Sequence, residues 1–396
     1  MKKLLYITGS RAEYGIMKRL LRKLQDHERI ELSIIATGMH CDVKYGYTYQ
    51  NIIDDGFEIK ELFDIKIETS TNSNIISTMS RAQSLFGAHF QDNKYDAIII
   101  LGDRYEMLSV AIAASIHGIP IIHLHGGEQT LGNYDEFIRH CITKMSHLHL
   151  VATDKYRERV IQLGEPPASV VNIGAMGAEN VIYLPIPEHN ELQSKYSNVL
   201  SNYFMVLFHP ETLTRKSVHD QINELIKALE IAHKKNHCNF IFIGSNSDTS
   251  SEIITEQILT FCKSYNFPYL VSLPTQDYLG LCKYSLGLIG NSSSGLIEIP
   301  SLGVPTINIG HRQAGRERGK SVIDVECCHV DILNKIHDIL SNRNISADDN
   351  VNPYYKENSA DLGMSSIISF LDRIGDNKSH IKKFYDIPNI DNLINS

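Results

Sequence analysis

The sequence predicts an α/β protein made of two doubly wound domains, each built on a parallel sheet. Short runs of β-branched and other apolar residues alternate with longer amphipathic stretches, and this alternation starts again near Tyr203. Strands that alternate with helices form parallel sheets with helices on both faces. A length of 396 residues, 42% of them hydrophobic, allows two such domains with separate cores.

The first series of elements begins at the amino terminus. The apolar stretch within residues 1–9 is too short for a signal peptide before charged residues follow, so it predicts a first strand. Apolar residues at helical spacing predict helices such as Ile16–Gln25 and Ile75–His89. The expected strands are Leu4–Thr8, Leu32–Ala36, Ala97–Leu101, Pro120–Leu124 and Leu148–Ala152.

The second series follows a proline-containing polar stretch from Pro185 to Asn190, which we interpret as the linker. We expect the first domain to span residues 1–180 and the second to span residues 200–374, with a helix at Ser359–Ile374 before a polar tail. The expected strands of the second domain are Tyr203–Phe208, Phe240–Gly244, Tyr269–Leu273, Leu286–Ile289 and Thr306–Ile309.

Composition excludes several classes of protein. A formal net charge of −8 argues against nucleic acid as the partner, because phosphodiester backbones are bound by concentrated basic surfaces. No apolar run reaches the length of a membrane span. The seven cysteines form no C-x-x-C pair, which favours neither a disulfide framework nor a zinc site and fits a reducing cytoplasm.

A phosphate site is predicted in the second domain. The segment Gly290 to Glu298 follows an apolar run and reads as a strand that ends in a serine-rich turn and opens a helix. Small residues admit a diphosphate, while the Ser292 and Ser293 hydroxyls and free helix N–H groups donate hydrogen bonds. Glu298, one turn further, would accept hydrogen bonds from ribose hydroxyls. A serine-rich cap on an ordinary helix is the alternative.

Chemistry-bearing residues are concentrated where the predicted strands end, which is where open α/β sheets bind ligands. Arg11, at the end of the first strand, can bind a phosphate or form a surface ion pair, and its surroundings match neither G-x-G-x-x-G nor the P-loop pattern. Each acid or base at the other strand ends has a structural alternative as a cap or turn residue. Together they predict a site of proton transfer, and they are Asp103, His125, Glu128, Asp135 and His209.

The order of these motifs resembles that of the hydrolysing UDP-N-acetylglucosamine 2-epimerases of the bacterial sialic-acid (NeuC) type, along nearly the whole chain. The matching blocks are Gly9–Gly15, Thr37–His40, Gly102–Glu106, His123–Glu128, Asp135–Met145, His209–Glu211, Gly290–Glu298 and Ile309–Arg316. The resemblance implies a GT-B-like fold of two Rossmann-like domains with the active site in the cleft between them. It also implies that UDP is held mainly by the second domain and that a C-terminal helix at about residues 375–396 packs back on the first.

The resemblance further implies roles for single residues and no cofactor. It assigns proton transfer to Asp103, Asp135 and His209. Relatives carry a catalytic glutamate at the place of His125, so here either His125 or Glu128, three residues on, would replace it. Substrate and phosphate contacts fall on Arg11, Arg104, Ser292, Ser293, Glu298 and Arg312, with His40 associated with the site.

The implied reaction converts UDP-N-acetylglucosamine to N-acetylmannosamine and UDP through 2-acetamidoglucal, in a homodimer or homotetramer. UDP-N,N′-diacetylbacillosamine, a precursor of legionaminic acid, is an alternative substrate that the motifs do not separate. A non-hydrolysing epimerase fits the Gly102–Glu106 and His209–Glu211 blocks less well. A GT-B glycosyltransferase would use the same grip on UDP but would not need so many acids and bases. A sugar-nucleotide sensor is a more distant alternative.

Overall fold

The fold, seen in a computed structural model that describes residues 1–196, 201–341, 351–377 and 381–388, contains two parallel sheets. The strands of the first sheet are β1 Lys2–Thr8, β2 Ile30–Thr37, β3 Ile59–Phe63, β4 Ala97–Leu101, β5 Ile121–Leu124, β6 Leu148–Val151 and β7 Val170–Asn172. Those of the second are β8 Tyr203–Leu207, β9 Asn239–Ile243, β10 Tyr269–Leu270, β11 Leu288–Gly290, β12 Thr306–Ile309 and β13 Val322–Val325.

Both sheets are doubly wound. The strand order is β3-β2-β1-β4-β5-β6-β7 in the first and β10-β9-β8-β11-β12-β13 in the second. Every strand pair is parallel, and the order reverses next to β1 and β8, the first strand of each series. The prediction of two doubly wound α/β units is therefore confirmed, and both sheets place their carboxyl ends where such folds bind ligands.

Helices cover the faces of both sheets. None of the helices in the described ranges is both long enough and apolar enough to cross a membrane. The helices are α1 Arg11–Gln25, α2 Gln50–Asp54, α3 Asn72–Asp92, α4 Tyr105–Ile116, α5 Asp135–Met145, α6 Asp154–Gln162, α7 Met176–Tyr183, α8 His189–Tyr196, α9 Val218–Asn236, α10 Ser251–Tyr265, α11 Thr275–Lys283, α12 Ser294–Ile297, α13 His329–Ser341 and α14 Ser359–Asn377.

All ten predicted strands are present, with ends displaced by a few residues, and three further strands were missed. The missed strands, β3, β7 and β13, lie at the edges of the sheets. An edge strand is buried on fewer sides, so its sequence carries more polar residues and a weaker apolar pattern. Helix α1 begins five residues before its predicted start, because the Ser10 side chain caps it by accepting the Glu13 N–H. Helix α8 takes up the end of the predicted linker.

The chain returns to the first domain through α14. Ile367, Phe370 and Leu371 of this helix pack in the same core as Leu20 and Leu24 of α1. The predicted helix at about residues 375–396 is not helical at residues 381–388, and α14 begins already at Ser359 and ends at Asn377. The stretch 381–388 nevertheless contacts the first domain, since Tyr385 donates its N–H to the carbonyl oxygen of Gly164 at 2.9 Å. Residues 378–380 and 389–396 lie outside the described residues. The apolar face of Ser359–Ile374 could be read from the sequence, but not the domain that it covers.

Shortening Leu371, which is 1% exposed in this core, should destabilise the first domain more than the same change at a surface position of α14. We expect Leu371→Ala to lower the free energy of unfolding by about 2–5 kcal/mol, because a buried cavity is left behind. Leu362→Ala is the matched control, since Leu362 lies on the same helix and is 36% exposed. Urea denaturation of both variants checks this, and equal losses would mean that α14 does not pack on the first domain in solution.

Candidate active site

A cavity of about 140 Å³ lies between the carboxyl ends of the two sheets. Its walls come from the turns after β4, β5, β8, β11 and β12 and from the start of α5. The structure therefore brings together nine of the twelve residues selected from the sequence. They are Asp103, Arg104, His125, Glu128, Asp135, His209, Ser292, Ser293 and Arg312.

His125 and Glu128 form one unit rather than two alternatives. The His125 Nδ1 lies 2.6 Å from Glu128 Oε1, and Glu128 Oε2 forms an ion pair with Arg316, whose Nη2 lies 2.8 Å away. Burial alone would raise the pKa of Glu128, but Arg316 and His125 hold it below its ordinary value. A carboxylate only accepts, so Nδ1 carries a proton, and in the tautomer with a single proton there the lone pair lies on Nε2. This Nε2 is buried on a ring that lines the cavity and finds no hydrogen-bond partner among the described residues.

The turn after β5 makes this pair possible. His125 adopts the left-handed backbone region at φ 62°, and Gly127 follows at φ 79°. A Cβ on Gly127 would lie 2.5 Å from the carbonyl oxygen of Tyr156, so only glycine fits here. Two residues with positive φ reverse the chain within one turn and bring the Glu128 side chain back to the His125 ring.

Asp103 lies beside this pair and is bound by Arg139, a fully buried residue of α5. Arg139 Nη2 donates to Asp103 Oδ2 and, at 3.0 Å, to the Thr130 hydroxyl, while Nη1 donates to the Glu128 carbonyl oxygen at 2.8 Å. Arg316 Nη2 lies 4.0 Å from the same Asp103 oxygen. One arginine thus fixes both the carboxylate of Asp103 and the backbone of the histidine turn.

Asp135 is a carboxyl group in a different environment. It is 7% exposed, and its Oδ2 accepts from Asn133 Nδ2 at 3.0 Å and lies 3.6 Å from Arg312 Nη2. Burial and then the nearby Asp248 carboxylate raise the pKa of Asp135 to about 7, although neighbouring arginines oppose the shift. A carboxyl group with such a pKa holds a proton for much of the time near neutral pH and can act as an acid.

His209 enters the cavity from the second domain as a hydrogen-bond donor. Its Nδ1 accepts from the Asn246 N–H at 3.2 Å and lies 3.0 Å from the Ser245 hydroxyl. Because a backbone N–H can only donate, Nδ1 is unprotonated and the neutral ring carries its proton on Nε2. Burial, followed by Arg312 and Arg104, lowers the pKa of His209 well below its ordinary value, so the ring stays neutral.

The serine turn contributes polar groups, but the predicted helix after it is a single turn. Helix α12 has four residues, and Glu298 caps its end. So short a helix carries a weaker dipole than the sequence suggested, and a diphosphate here would depend more on side chains. Arg312 Nε is buried without a hydrogen-bond partner in the described part of the chain, which leaves it available to an anion. Ser292 and Ser293 lie on the same wall.

Three of the twelve residues do not line the cavity. His40 is buried between two threonines, with Nε2 3.1 Å from the Thr8 hydroxyl and Nδ1 2.9 Å from that of Thr48, and burial lowers its pKa to about 3. His40 therefore has a structural position in the first domain, where it links Thr8 at the end of β1 to Thr48. Arg11 stacks 5.8 Å from the ring of Tyr278, and Glu298 packs against Gly177.

Glu298 and Arg11 nevertheless influence each other across the cleft. Burial raises the pKa of Glu298 to about 7, while Arg11 and His125 act to lower it. Arg11 belongs to α1 of the first domain and Glu298 follows α12 of the second. Their predicted substrate contacts stay predictions, since neither side chain reaches the cavity described here.

Several cavity residues received no role from the sequence. Arg139 and Arg316 stand inside recognised motif blocks, yet nothing in a sequence distinguishes a buried arginine from a surface one. Asp248 follows β9 at the same edge of the sheet as the predicted site residues, and this strand-end position was the signal that could have identified it. Other polar residues of the cavity without a predicted role are Ser10, Glu13, Tyr105, Thr130, Asn246 and Gln313.

Comparison with known proteins supports the reading of these motifs. Residues 22–369 match the model of the family described as UDP-N-acetylglucosamine 2-epimerase. The chain is 54% identical over 389 residues to the polysialic acid biosynthesis protein P7 of Escherichia coli, with 98% of each chain covered. It is 36% identical over 333 residues to the GDP/UDP-N,N′-diacetylbacillosamine 2-epimerase (hydrolyzing) of Campylobacter jejuni, which covers 83% of this chain and 86% of that one.

A solved structure shares the architecture. The crystal structure of UDP-GlcNAc 2-epimerase from Neisseria meningitidis, bound to UDP-GlcNAc, aligns with a TM-score of 0.74, covering 93% of this chain and 100% of that one. At 17% identity this likeness shows the fold alone, and it confirms the predicted GT-B-like arrangement. Since the family model covers most of the chain and both relatives exceed 30% identity, the chain belongs to the UDP-N-acetylglucosamine 2-epimerase family.

Proposed function

We propose that this epimerase is of the hydrolysing kind and converts UDP-N-acetylglucosamine to N-acetylmannosamine and UDP, for sialic acid biosynthesis. The observation that carries the proposal is the His125 and Glu128 pair, which lines a cavity together with Asp103 and Asp135 and whose Nε2 has no hydrogen-bond partner among the described residues. Inversion at C2 requires a proton to leave one face of the sugar and return to the other. Two separate acid or base groups on one cavity meet this requirement.

In the first step, His125 Nε2 accepts the C2 proton while the bond between C1 and the diphosphate oxygen breaks. The electron pair of that bond leaves with UDP, and 2-acetamidoglucal remains. The C2 proton is not adjacent to a carbonyl group, so the barrier must fall mainly through stabilisation of the departing diphosphate. His209 Nε2–H, Arg312 and the serine turn supply donors for this from the second domain.

In the second step, water adds to the glucal. Asp135 gives its proton to C2, and the water oxygen bonds to C1. One proton of that water stays on the new C1 hydroxyl group, and Asp103 accepts the other. Exchange with solvent then returns Asp103, Asp135 and His125 to their starting states. No redox change occurs, and the proposed reaction needs no cofactor.

UDP-N,N′-diacetylbacillosamine remains the alternative substrate, because the relative from Campylobacter jejuni is named for it. The name of the Escherichia coli relative favours sialic acid biosynthesis. A glycosyltransferase could use an imidazole paired with a carboxylate to deprotonate an acceptor hydroxyl, but it would not need the further acids Asp103 and Asp135 in the same cavity. We further propose that the enzyme works in the cytoplasm as a homodimer or homotetramer.

The reaction is tested by its isotope pattern. When the enzyme turns over UDP-N-acetylglucosamine in D2O, N-acetylmannosamine should carry deuterium at C2 and appear with an equal amount of UDP, because the returning proton has exchanged with solvent. NMR of the sugar and chromatography of the nucleotide measure both products. Unlabelled sugar would exclude the elimination route, and faster release of UDP from UDP-N,N′-diacetylbacillosamine would identify the alternative substrate.

The His125 and Glu128 pair is tested by a double-variant cycle. His125→Asn and Glu128→Gln should each lower kcat by about a hundredfold or more, a usual loss for an acid or base group. The double variant should lose little more than the worse single variant, because the two side chains act as one unit.

The second domain offers a matched control for this cycle, since Glu224 Oε2 lies 2.6 Å from His329 Nδ1 outside the cavity. Glu224→Gln should leave kcat near that of the unmodified enzyme. Losses at His125 and Glu128 that multiply in the double variant would show that the two side chains work independently.

The state of His209 is open to direct observation. In protein with ¹⁵N-labelled histidine, we expect Nδ1 of His209 to show the shift of an unprotonated acceptor and Nε2 that of a protonated nitrogen. Both shifts should stay constant from pH 8 to pH 5, because the pKa of the ring lies well below its ordinary value. His209→Asn assigns the signals, and protonation of both nitrogens within this range would contradict the proposed role as a neutral donor.

A further inference from the structure

The loop after β9, in the second domain, contacts residues of the first domain next to the cavity. Ser247 accepts a hydrogen bond from Arg104 Nη2, and its hydroxyl lies 3.3 Å from that of Tyr105. Ser250 donates its N–H to the carbonyl oxygen of Thr69 at 2.8 Å. Asp248 stands between these contacts and is 4% exposed. The loop is therefore fixed on both sides of Asp248 by groups of the first domain.

The carboxyl groups of Asp248 and Asp135 both lie close to one nitrogen atom of Arg312. Arg312 Nη2 lies 3.5 Å from Asp248 Oδ2 and 3.6 Å from Asp135 Oδ2. One guanidinium group thus faces two buried carboxyl groups, one from each domain. A single positive charge compensates one carboxylate, so the second is favoured in its protonated form.

We propose that Asp248, which faces the same Arg312 nitrogen as Asp135, is the positioning residue that keeps Asp135 in its acid form. This inference rests on the proposed function for its catalytic consequence. It gives Asp248 a role that neither the family motifs nor the proton-transfer residues above include. Because Asp248 belongs to the second domain, Asp135 holds its proton only when that domain lies against the first.

The other charged or titratable groups around Asp135 either lower its pKa, which opposes the effect of Asp248, or do not cancel that effect. Three arginines favour the carboxylate form of Asp135, whose side chain is also held by the neutral amide of Asn133. Tyr134 faces both carboxyl groups and stays protonated, because burial and then these two charges raise its pKa. The groups that face Asp135 are Arg104 at the start of α4, Arg312 and Arg316 after β12, Asp248 after β9, and Tyr134 next to it.

The test replaces Asp248 with the isosteric asparagine and follows Asp135 itself. In protein with ¹³C-labelled aspartate carboxyls, the Asp135 signal, assigned by its loss in Asp135→Asn, should titrate at a pH about one unit lower in Asp248→Asn. Removal of one like charge at close range typically produces a shift of this size. Asp248→Glu should retain most of the original titration, and Asp338→Asn, an exposed position on α13, should change nothing. An Asp135 titration that is the same in Asp248→Asn as in the unmodified protein would overturn the inference.

The dependence of kcat/KM on pH provides a second test of the role of Asp248. If the protonated form of Asp135 is required, the alkaline limb should move to lower pH in Asp248→Asn by the same amount as the carboxyl titration. An alkaline limb that stays in place while the carboxyl titration moves would show that Asp135 is not the acid. The titration needs no substrate, so an unmodified enzyme that releases no UDP would refute the proposed function, while the carboxyl signal of Asp135 alone would still decide the role of Asp248.

Discussion

The ion pair between Arg316 and Glu128 is the interaction on which the rest of the site depends. Both side chains are almost fully buried, and the charged atoms lie 2.8 Å apart. A buried carboxylate without a partner costs several kcal/mol, so Glu128 would be neutral or turned outward without Arg316. Arg316 comes from the second domain and also donates Nε to the carbonyl oxygen of Gln129 at 3.1 Å. The base of the first domain therefore has its geometry only while the second domain lies against it.

In the proposed mechanism the two domains contribute different kinds of group. The first contributes groups that exchange protons, namely the His125 and Glu128 pair with Asp103 and Asp135. The second contributes donors, namely the guanidinium group of Arg312 and the neutral ring of His209, whose Nδ1 accepts the Asn246 N–H and leaves the proton on Nε2. The departing diphosphate carries negative charge and could compete with the sugar for the proton that His125 has accepted. In the proposed mechanism this competition is avoided, because the diphosphate is stabilised at one wall of the cavity and the protons are exchanged at the other.

The sequence predicted the central strands and the convergence of strand ends, because the first follow from hydrophobic pattern and the second from the topology of parallel sheets. It missed β3, β7 and β13, whose edge positions weaken that pattern. It placed His40 in the site, where the structure shows two threonines occupying its ring nitrogens. Nor could it show that α12 ends after one turn, or that Arg139 is buried, since both depend on contacts between distant residues.

The choice between His125 and Glu128 shows why such questions exceed the sequence. The spacing of His125 and Glu128 in the sequence makes both residues candidates for the base, and neither is suited to that role without the other. His125 without Glu128 has no fixed tautomer, while Glu128 is held behind the ring by Arg316 and would lose its partner if it reached for the sugar. The left-handed backbone of His125 costs about 1–2 kcal/mol, which the buried hydrogen bonds of the pair and the Gly127 turn must offset. A strained residue is retained when its surroundings determine it completely, and here they hold the ring in the cavity wall with Nε2 free of any partner in the described part of the chain. In the proposed mechanism, an imidazole supported by a carboxylate thus serves as the base at this wall of the cavity.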